Sequence, residues 1–172
     1  MKTKGIRIKE AFVASMDSLL ADHDADDWHV DSGASCHMFP NKALFVNYKV
    51  IDPVPVRIGD NTVIYAVGKG DVSITLAVDH YIVDATLHNI YHVPGLCTNL
   101  FSTSSAMEQG FAIIFKDDKC VITNKLGVTV AYGVRGAGAL FRLARHKENM
   151  PLSQSAMVAH VPSERDIGLW HD

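Results

Sequence analysis

From Trp28 onward the chain alternates apolar and polar residues with a period of two, in runs broken by Gly, Asn and Asp. Successive side chains change faces only in an extended strand, so this pattern confines the chain to many short β-strands, each with one buried face. Val54, Val56 and Ile58 alternate with Pro55 and Arg57. Val63, Tyr65 and Val67 follow a Gly59-Asp60-Asn61 turn, and Val72, Ile74, Leu76 and Val78 follow Gly68-Lys69-Gly70. The Gly-Lys-Gly has no further glycine and no following helix, so it reads as a hairpin turn and not as a phosphate loop. Phe111, Ile113 and Phe115 mark another strand, and Val128, Val130 and Tyr132 another. The pattern predicts an all-β barrel or sandwich. Two helices are expected beside it. Ile6, Ile8, Phe12, Met16, Leu19 and Leu20 recur at helical spacing and predict a helix over 6–22, while NLFSTSSAMEQG predicts a short helix stopped by Gly110.

Composition bounds the function classes. Apolar residues make up 48% of the 172 and charged residues 20%, ordinary for a chain that buries a core. Sixteen Lys+Arg face nineteen Asp+Glu, for a net charge of -3. There is no basic stripe to neutralise phosphates, so direct nucleic-acid binding is not expected. No stretch approaches the ~18 apolar residues that span a bilayer, and the N-terminus lacks the apolar run of a signal peptide. The three cysteines, Cys36, Cys97 and Cys120, are odd in number and form no CxxC, which suits a reducing compartment such as the cytoplasm.

The chemistry concentrates in WHVDSGASCHMF, Trp28 to Phe39. A short extended run feeds a tight turn at Asp31-Ser32-Gly33-Ala34, where Gly33 allows a sharp bend and close approach of another chain. Backbone N–H groups in such a turn can orient the Asp31 carboxylate, and Ser32 can hydrogen-bond within the turn or across an interface. An Asx-turn aspartate of purely structural use is the plain alternative. A single carboxylate cannot hydrolyse a peptide in the paired style, which needs two sharing one proton, one as base and one as acid. One such motif in a chain of this length therefore implies a homodimer, with Asp31 meeting its symmetry mate on a two-fold axis.

DSGAS behind an apolar strand resembles the Asp-Thr/Ser-Gly-Ala motif of retropepsin-type aspartic proteases in copia-type retrotransposon Pol polyproteins. VPVRIGDNTVIYAVGKGDVSI resembles the flap region of that group, and LHNIYHVPGLCTNLFSTSSAMEQGF resembles its Val-Pro-Gly-Leu, Asn-Leu-hydrophobic-Ser pattern. Ser102 stands where viral members carry Gly, and FAIIF (111–115) is similar to the strand through which viral subunits pair. GALFRL, a linker and LWHD resemble the approach to the pre-integrase region, where His171 would be the first ligand of a zinc module. The resemblance implies a small retropepsin-like barrel with an N-terminal helical arm and one short internal helix. It implies an aspartic endopeptidase that processes its own polyprotein, with catalytic Asp31, Ser32 and Gly33, and with Gly59, Asp60 and Asn61 at the tip of a substrate-binding flap. A virus-like particle in the cytoplasm would be its setting. No cofactor is implied, since the dyad transfers its own protons.

This reading divides the chain into an N-terminal helical arm and linker at 1–25, a retropepsin-like β-barrel protease domain at 26–143, and at 144–172 a linker with the start of a truncated pre-integrase region. Other readings are weaker. Cys36 and His37 are adjacent, so on a strand they face opposite ways and cannot form a nucleophile–base pair. His29, Cys36, His37, His92, Cys97 and Cys120 do not match zinc-finger spacing, so no metal is expected. A different class remains open: a catalytically inactive β-barrel remnant acting as a binding or assembly module.

Overall fold

The computed structural model describes residues 9–10, 24–136 and 140–145. Eleven strands within them join one sheet. They are β1 (Lys9–Glu10), β2 (Trp28–Asp31), β3 (Met38–Phe39), β4 (Phe45–Arg57), β5 (Val63–Val78), β6 (Tyr81–His92), β7 (Asn99–Ser102), β8 (Ala112–Lys116), β9 (Lys119–Thr123), β10 (Thr129–Arg135) and β11 (Phe141–Leu143). A short helix α1 (Thr103–Glu108) lies between β7 and β8. The fold is all-β, as the alternation predicts. The helix also falls where expected, and Gly110 ends it with φ +92, a left-handed stop that costs glycine little.

The strands run in the order β1-β4-β5-β6-β3-β7-β2-β11-β10-β9-β8. The sheet curls back on itself. Leu76 of β5 bridges Arg145, and the Ala77 N–H donates to the Ala144 carbonyl at 2.8 Å. β5, β6, β3, β7, β2 and β11 thereby form a ring, and β10, β9 and β8 continue from it as an antiparallel wing. Tyr132 of β10 ties the wing to the β5–β6 turn by donating from its hydroxyl to Asp79 Oδ1 at 2.6 Å. Closure of this kind encloses a core, while β4 on one side and β8 on the other extend beyond the ring. That core includes Trp28, Val30, Phe39, Leu76, Leu87 and Phe101, with Trp28 stacked on Phe39 at 5.2 Å between centroids. A second, smaller apolar cluster gathers Ala34, Cys36, Met38, Val56, Ala66 and Val93.

Two expectations change. Gly68-Lys69-Gly70 is not a turn, because it lies inside β5, one strand of 16 residues. The inward face of β5 is Ala66, Gly68, Gly70, Val72, Ile74, Leu76 and Val78, while Val63 and Tyr65 point out to solvent. The glycines serve packing. A Cβ at Gly68 would run into the Tyr48 ring, and one at Gly70 would lie 2.9 Å from the Val46 carbonyl oxygen. Tyr48 cannot easily yield, since its hydroxyl is 2.9 Å from His92 Nδ1 and its ring packs edge-on against Phe45 and His92. The second change is at the N-terminus. The helix expected over 6–22 meets the described residues only at Lys9 and Glu10, which form a strand parallel to Val56 and Arg57. The open edge of β4 presents N–H and C=O groups that a passing extended segment satisfies. The rest of that helix, and the tail after 145, lie outside the described residues.

Gly68→Ala should therefore lower stability by about 1–3 kcal/mol through overpacking. A denaturant double-mutant cycle checks the cause: the loss should shrink in a Tyr48→Ala background, and a loss that adds independently would assign it elsewhere.

Candidate functional site

β2 sits in the middle of the ring, parallel to β7 on one side and antiparallel to β11 on the other. Its first three residues are buried, and Asp31 at its end is half-buried. The strand is pinned where it begins. Asn99, opposite Trp28 on β7, donates through Nδ2 to the carbonyls of Ala25 and Asp27, each at 3.0 Å. Arg142 of β11 donates from Nη1 to Asp27 Oδ2 at 2.9 Å, with the Asp27 side chain only 6% exposed. A site at the end of so constrained a strand is held more rigidly than one on a free loop.

Asp31 opens an Asx turn in which the Gly33 N–H donates to Oδ1 at 2.7 Å. The other oxygen, Oδ2, is enclosed. Ser32 and Gly33 are exposed, and the chain re-enters the protein at Ala34, which is 1% exposed. The three residues expected from the motif thus form one turn with a backbone-oriented carboxylate at its base.

Gly59, Asp60 and Asn61 cap the β4–β5 hairpin, as expected, and all three are exposed. The tip satisfies itself. The Ile58 N–H donates to the Thr62 carbonyl, the Asn61 N–H to the Ile58 carbonyl, each at 2.9 Å, and the Thr62 N–H to Asp60 Oδ1 at 2.8 Å. The bonds from Thr62 hold the Asp60 carboxyl below its usual range. Asn61 carries the left-handed residue with φ 68, a conformation asparagine tolerates well. The hairpin and the Asp31 turn meet through the smaller apolar cluster. Ala34 and Cys36 follow the turn directly, Val56 and Ala66 come from the hairpin strands, and Ile58 and Ile64 pack against them.

Two residues that the motif does not point to organise the turn. Ser102 lies opposite Asp31 in the parallel β2–β7 register and is 0% exposed. Its hydroxyl donates to the Ala34 carbonyl at 2.6 Å and accepts the Ser105 N–H at 3.1 Å, capping α1. The Ser102 N–H donates to His37 Nδ1 at 3.0 Å, and the His37 ring lies 4.7 Å from Phe101. An Nδ1 that accepts is unprotonated, so His37 is a neutral imidazole with its proton on Nε2. Burial pushes its pKa down from 6.5 to about 4. The Ser-x-x-Ser spacing of Ser102 and Ser105 is a readable cap signal. Nothing local to His37 announces its partner 65 positions away.

Among the described residues no three His, Cys, Asp or Glu side chains converge as metal ligands do. The cysteines lie apart, with Cys36 in the smaller cluster, Cys120 in the main core and Cys97 exposed. Among these residues no helix is long and apolar enough to cross a membrane.

Buried neutral His37 makes stability depend on pH. In the unfolded chain its proton is taken up near 6.5, and in the folded chain only near 4. Between these values the unfolded state binds the extra proton, so stability is full above 6.5 and is lost as pH falls toward 4, by roughly 3 kcal/mol. Denaturation between pH 7 and 4.5 checks this: His37→Asn should flatten the decline by that amount, and parallel curves for the two proteins would contradict it.

Residues 28–111 match the family model described as Pol polyprotein, beta-barrel domain. The chain is 31% identical over 145 residues to the Retrovirus-related Pol polyprotein from transposon TNT 1-94 of Nicotiana tabacum, which covers 84% of this chain. The chain spans 10% of that relative's length. No solved structure matches. The matched span runs from β2 through the end of α1 and includes both the Asp31 turn and the β4–β5 hairpin. Family model, relative and all-β barrel agree, and they support a region of a copia-type retrotransposon Pol polyprotein built on its β-barrel domain.

Proposed function

We propose that this region is the aspartic endopeptidase of the polyprotein, acting as a homodimer to which each subunit gives Asp31. The observation that carries the reading is the turn itself: a carboxylate at the end of a buried strand, with one oxygen fixed by the Gly33 N–H at 2.7 Å and with Ser32 and Gly33 exposed beside it. Exposed, glycine-containing turns of this kind can meet across a two-fold axis without side-chain obstruction. Two Asp31 carboxylates brought together share one proton, because like charges so close cannot both ionise. The ionised one takes a proton from the attacking water, and the protonated one delivers its proton to the leaving amide nitrogen. Ser32 braces the paired turns and Gly33 permits their approach.

The β4–β5 hairpin supplies the cover. Its tip at Gly59, Asp60 and Asn61 makes its own hydrogen bonds and can move as a unit, while its inner face rests on the residues that follow Asp31. Closure over a bound chain would exclude water and strengthen the electrostatics around the dyad. The substrate on this reading is the element's own polyprotein, in the setting of a virus-like particle, and no cofactor enters the chemistry.

Solution mass at micromolar concentration and cleavage of a fusion carrying residues 144–168 test the proposal together. Wild type should be a dimer that cuts, and Asp31→Asn should lower the rate by roughly 100-fold or more while remaining dimeric. A dimer that never cuts would favour a binding or assembly module. A stable monomer, or cleavage that survives the Asn change, would rule out the paired-aspartate mechanism.

A further inference from the structure

We infer that Ser102 and His37 are positioning residues, a buried brace that fixes the Asp31 turn and whose failure in acid sets the low-pH limit of the site. The inference rests on the endopeptidase reading for its consequence in catalysis, although the brace itself is a matter of geometry.

The turn has two ends to hold. The near end is fixed by the Gly33 N–H on Asp31 Oδ1 at 2.7 Å. The far end, where the chain dives back at Ala34, is fixed by the Ser102 hydroxyl, which donates to the Ala34 carbonyl at 2.6 Å. That hydroxyl has one proton, and it is committed. One of its two lone pairs takes the Ser105 N–H at 3.1 Å, so a change of the Ser102 rotamer that moves the oxygen would break both bonds at once. Ser102 is in turn anchored through its N–H to His37 Nδ1 at 3.0 Å. His37 lies on the same segment as Ala34, so β7 grips the loop after Asp31 at two points, three residues apart. Because Asp31 and Ser102 are directly opposite in the parallel register, a shift of the grip is transmitted to the carboxylate over one strand spacing.

The weak link is the imidazole. It can accept from the Ser102 N–H only while Nδ1 is unprotonated, and Nε2 is already a buried donor with no hydrogen-bond partner among the described residues. Protonation turns the acceptor into a second donor facing an N–H. The groups around it do not compensate. From β6, Tyr91 offers its backbone N–H to the His37 carbonyl at 3.0 Å, and its ring carries Lys69 Nζ at 4.9 Å from the centroid. His92, also of β6, has its ring nitrogens engaged by Tyr48 and Pro40. β7 presents Phe101 and Ser102, neither charged, and Asp31 stands on the next strand over. Burial alone depresses the imidazole, to about 4, and so places the failure in the acid range where paired carboxylates work.

Asn at position 37 offers a non-titrating acceptor in the same direction, which separates bracing from mere filling of space. The kcat and KM of dimeric wild type, His37→Asn and Ser102→Ala are measured from pH 3 to 7 on the 144–168 fusion. Ser102→Ala should lower kcat by about tenfold with KM little changed, as for one lost hydrogen bond at the reacting geometry. Wild type should lose kcat below about 4, and His37→Asn should keep cutting there. An acid limb that is identical in both proteins assigns it to the Asp31 pair and overturns the inference. If wild type never cuts, the endopeptidase reading fails, but the brace is still read by nuclear magnetic resonance on wild type alone. The His37 ring and the Ser102 amide should then shift with one common midpoint. Separate midpoints, or an amide indifferent to ring protonation, overturn the brace.

Discussion

The barrel depends on a single demand: β2 must be hydrogen-bonded along both edges and buried over both faces, yet end in a charged residue. Trp28 and Val30 face the main core, and His29 on the opposite face is also buried. No segment near β2 in sequence supplies its edges. β7 arrives some seventy residues later to pair in parallel, and β11 later still to pair antiparallel. The long meander of β4, β5 and β6, and the β8–β10 wing, are the chain lengths needed to bring those two strands back. The Asp27–Arg142 ion pair belongs to this demand. Removing two charges from water costs about as much as their attraction returns, so such a pair is weak evidence of stability. Its evident use here is register: it sets β11 against the start of β2, while Asn99 does the same for β7.

A second layer of order comes from where the sheet bends. The β4 pairing with β5 shifts register between Val46 and Lys49, and the β5 pairing with β6 shifts between Gly70 and Val72. Asn47 and Asn89, with φ 53 and 60, take the left-handed conformations these bulges require, and Asp71 accepts from both of them. The bends swing Phe45 and Tyr48 across Gly68 and Gly70 onto His92. That aromatic layer and the smaller cluster under Ala34 and Cys36 lie in succession along the inward face of β5, over Gly70, Gly68 and then Ala66. The hairpin therefore leans on the segment following Asp31 because of bulges and glycines far from its tip.

The site is read at two levels that the same residues connect. Locally it is an Asx turn, which many aspartates form without chemistry. What lifts it above that is the burial of its support. At the end of β7, the Ser102 hydroxyl and N–H hold the loop after Asp31 at Ala34 and His37, in a dry interior where such bonds are strong and their loss is costly. A glycine at position 102 would offer no hydroxyl. Ser102 adds one, and with it a cap for α1, so the helix and the turn are fixed by the same oxygen.

How much of this was legible in the sequence follows the range of the forces involved. The strands with period-two burial, the hairpin tip at Gly59-Asp60-Asn61, the stop at Gly110 and the Asp31 turn all follow from neighbours a few positions apart, where the backbone's own preferences decide. Even the error at Gly68-Lys69-Gly70 has this origin: glycines usually mark a turn, and only Tyr48 arriving from the adjacent strand gives them another purpose. Phase misleads for the same reason, since Val63 and Tyr65 alternate as cleanly as Ile64 and Ala66, and only the cluster beneath selects the second set. Closure of the ring through Ala77 and Ala144, the strand at Lys9–Glu10, the partners of Asp27 and the acceptor role of His37 were decided by tertiary structure alone. Each joins groups tens of residues apart, and buried polar atoms choose such partners only once the fold has removed water as the alternative.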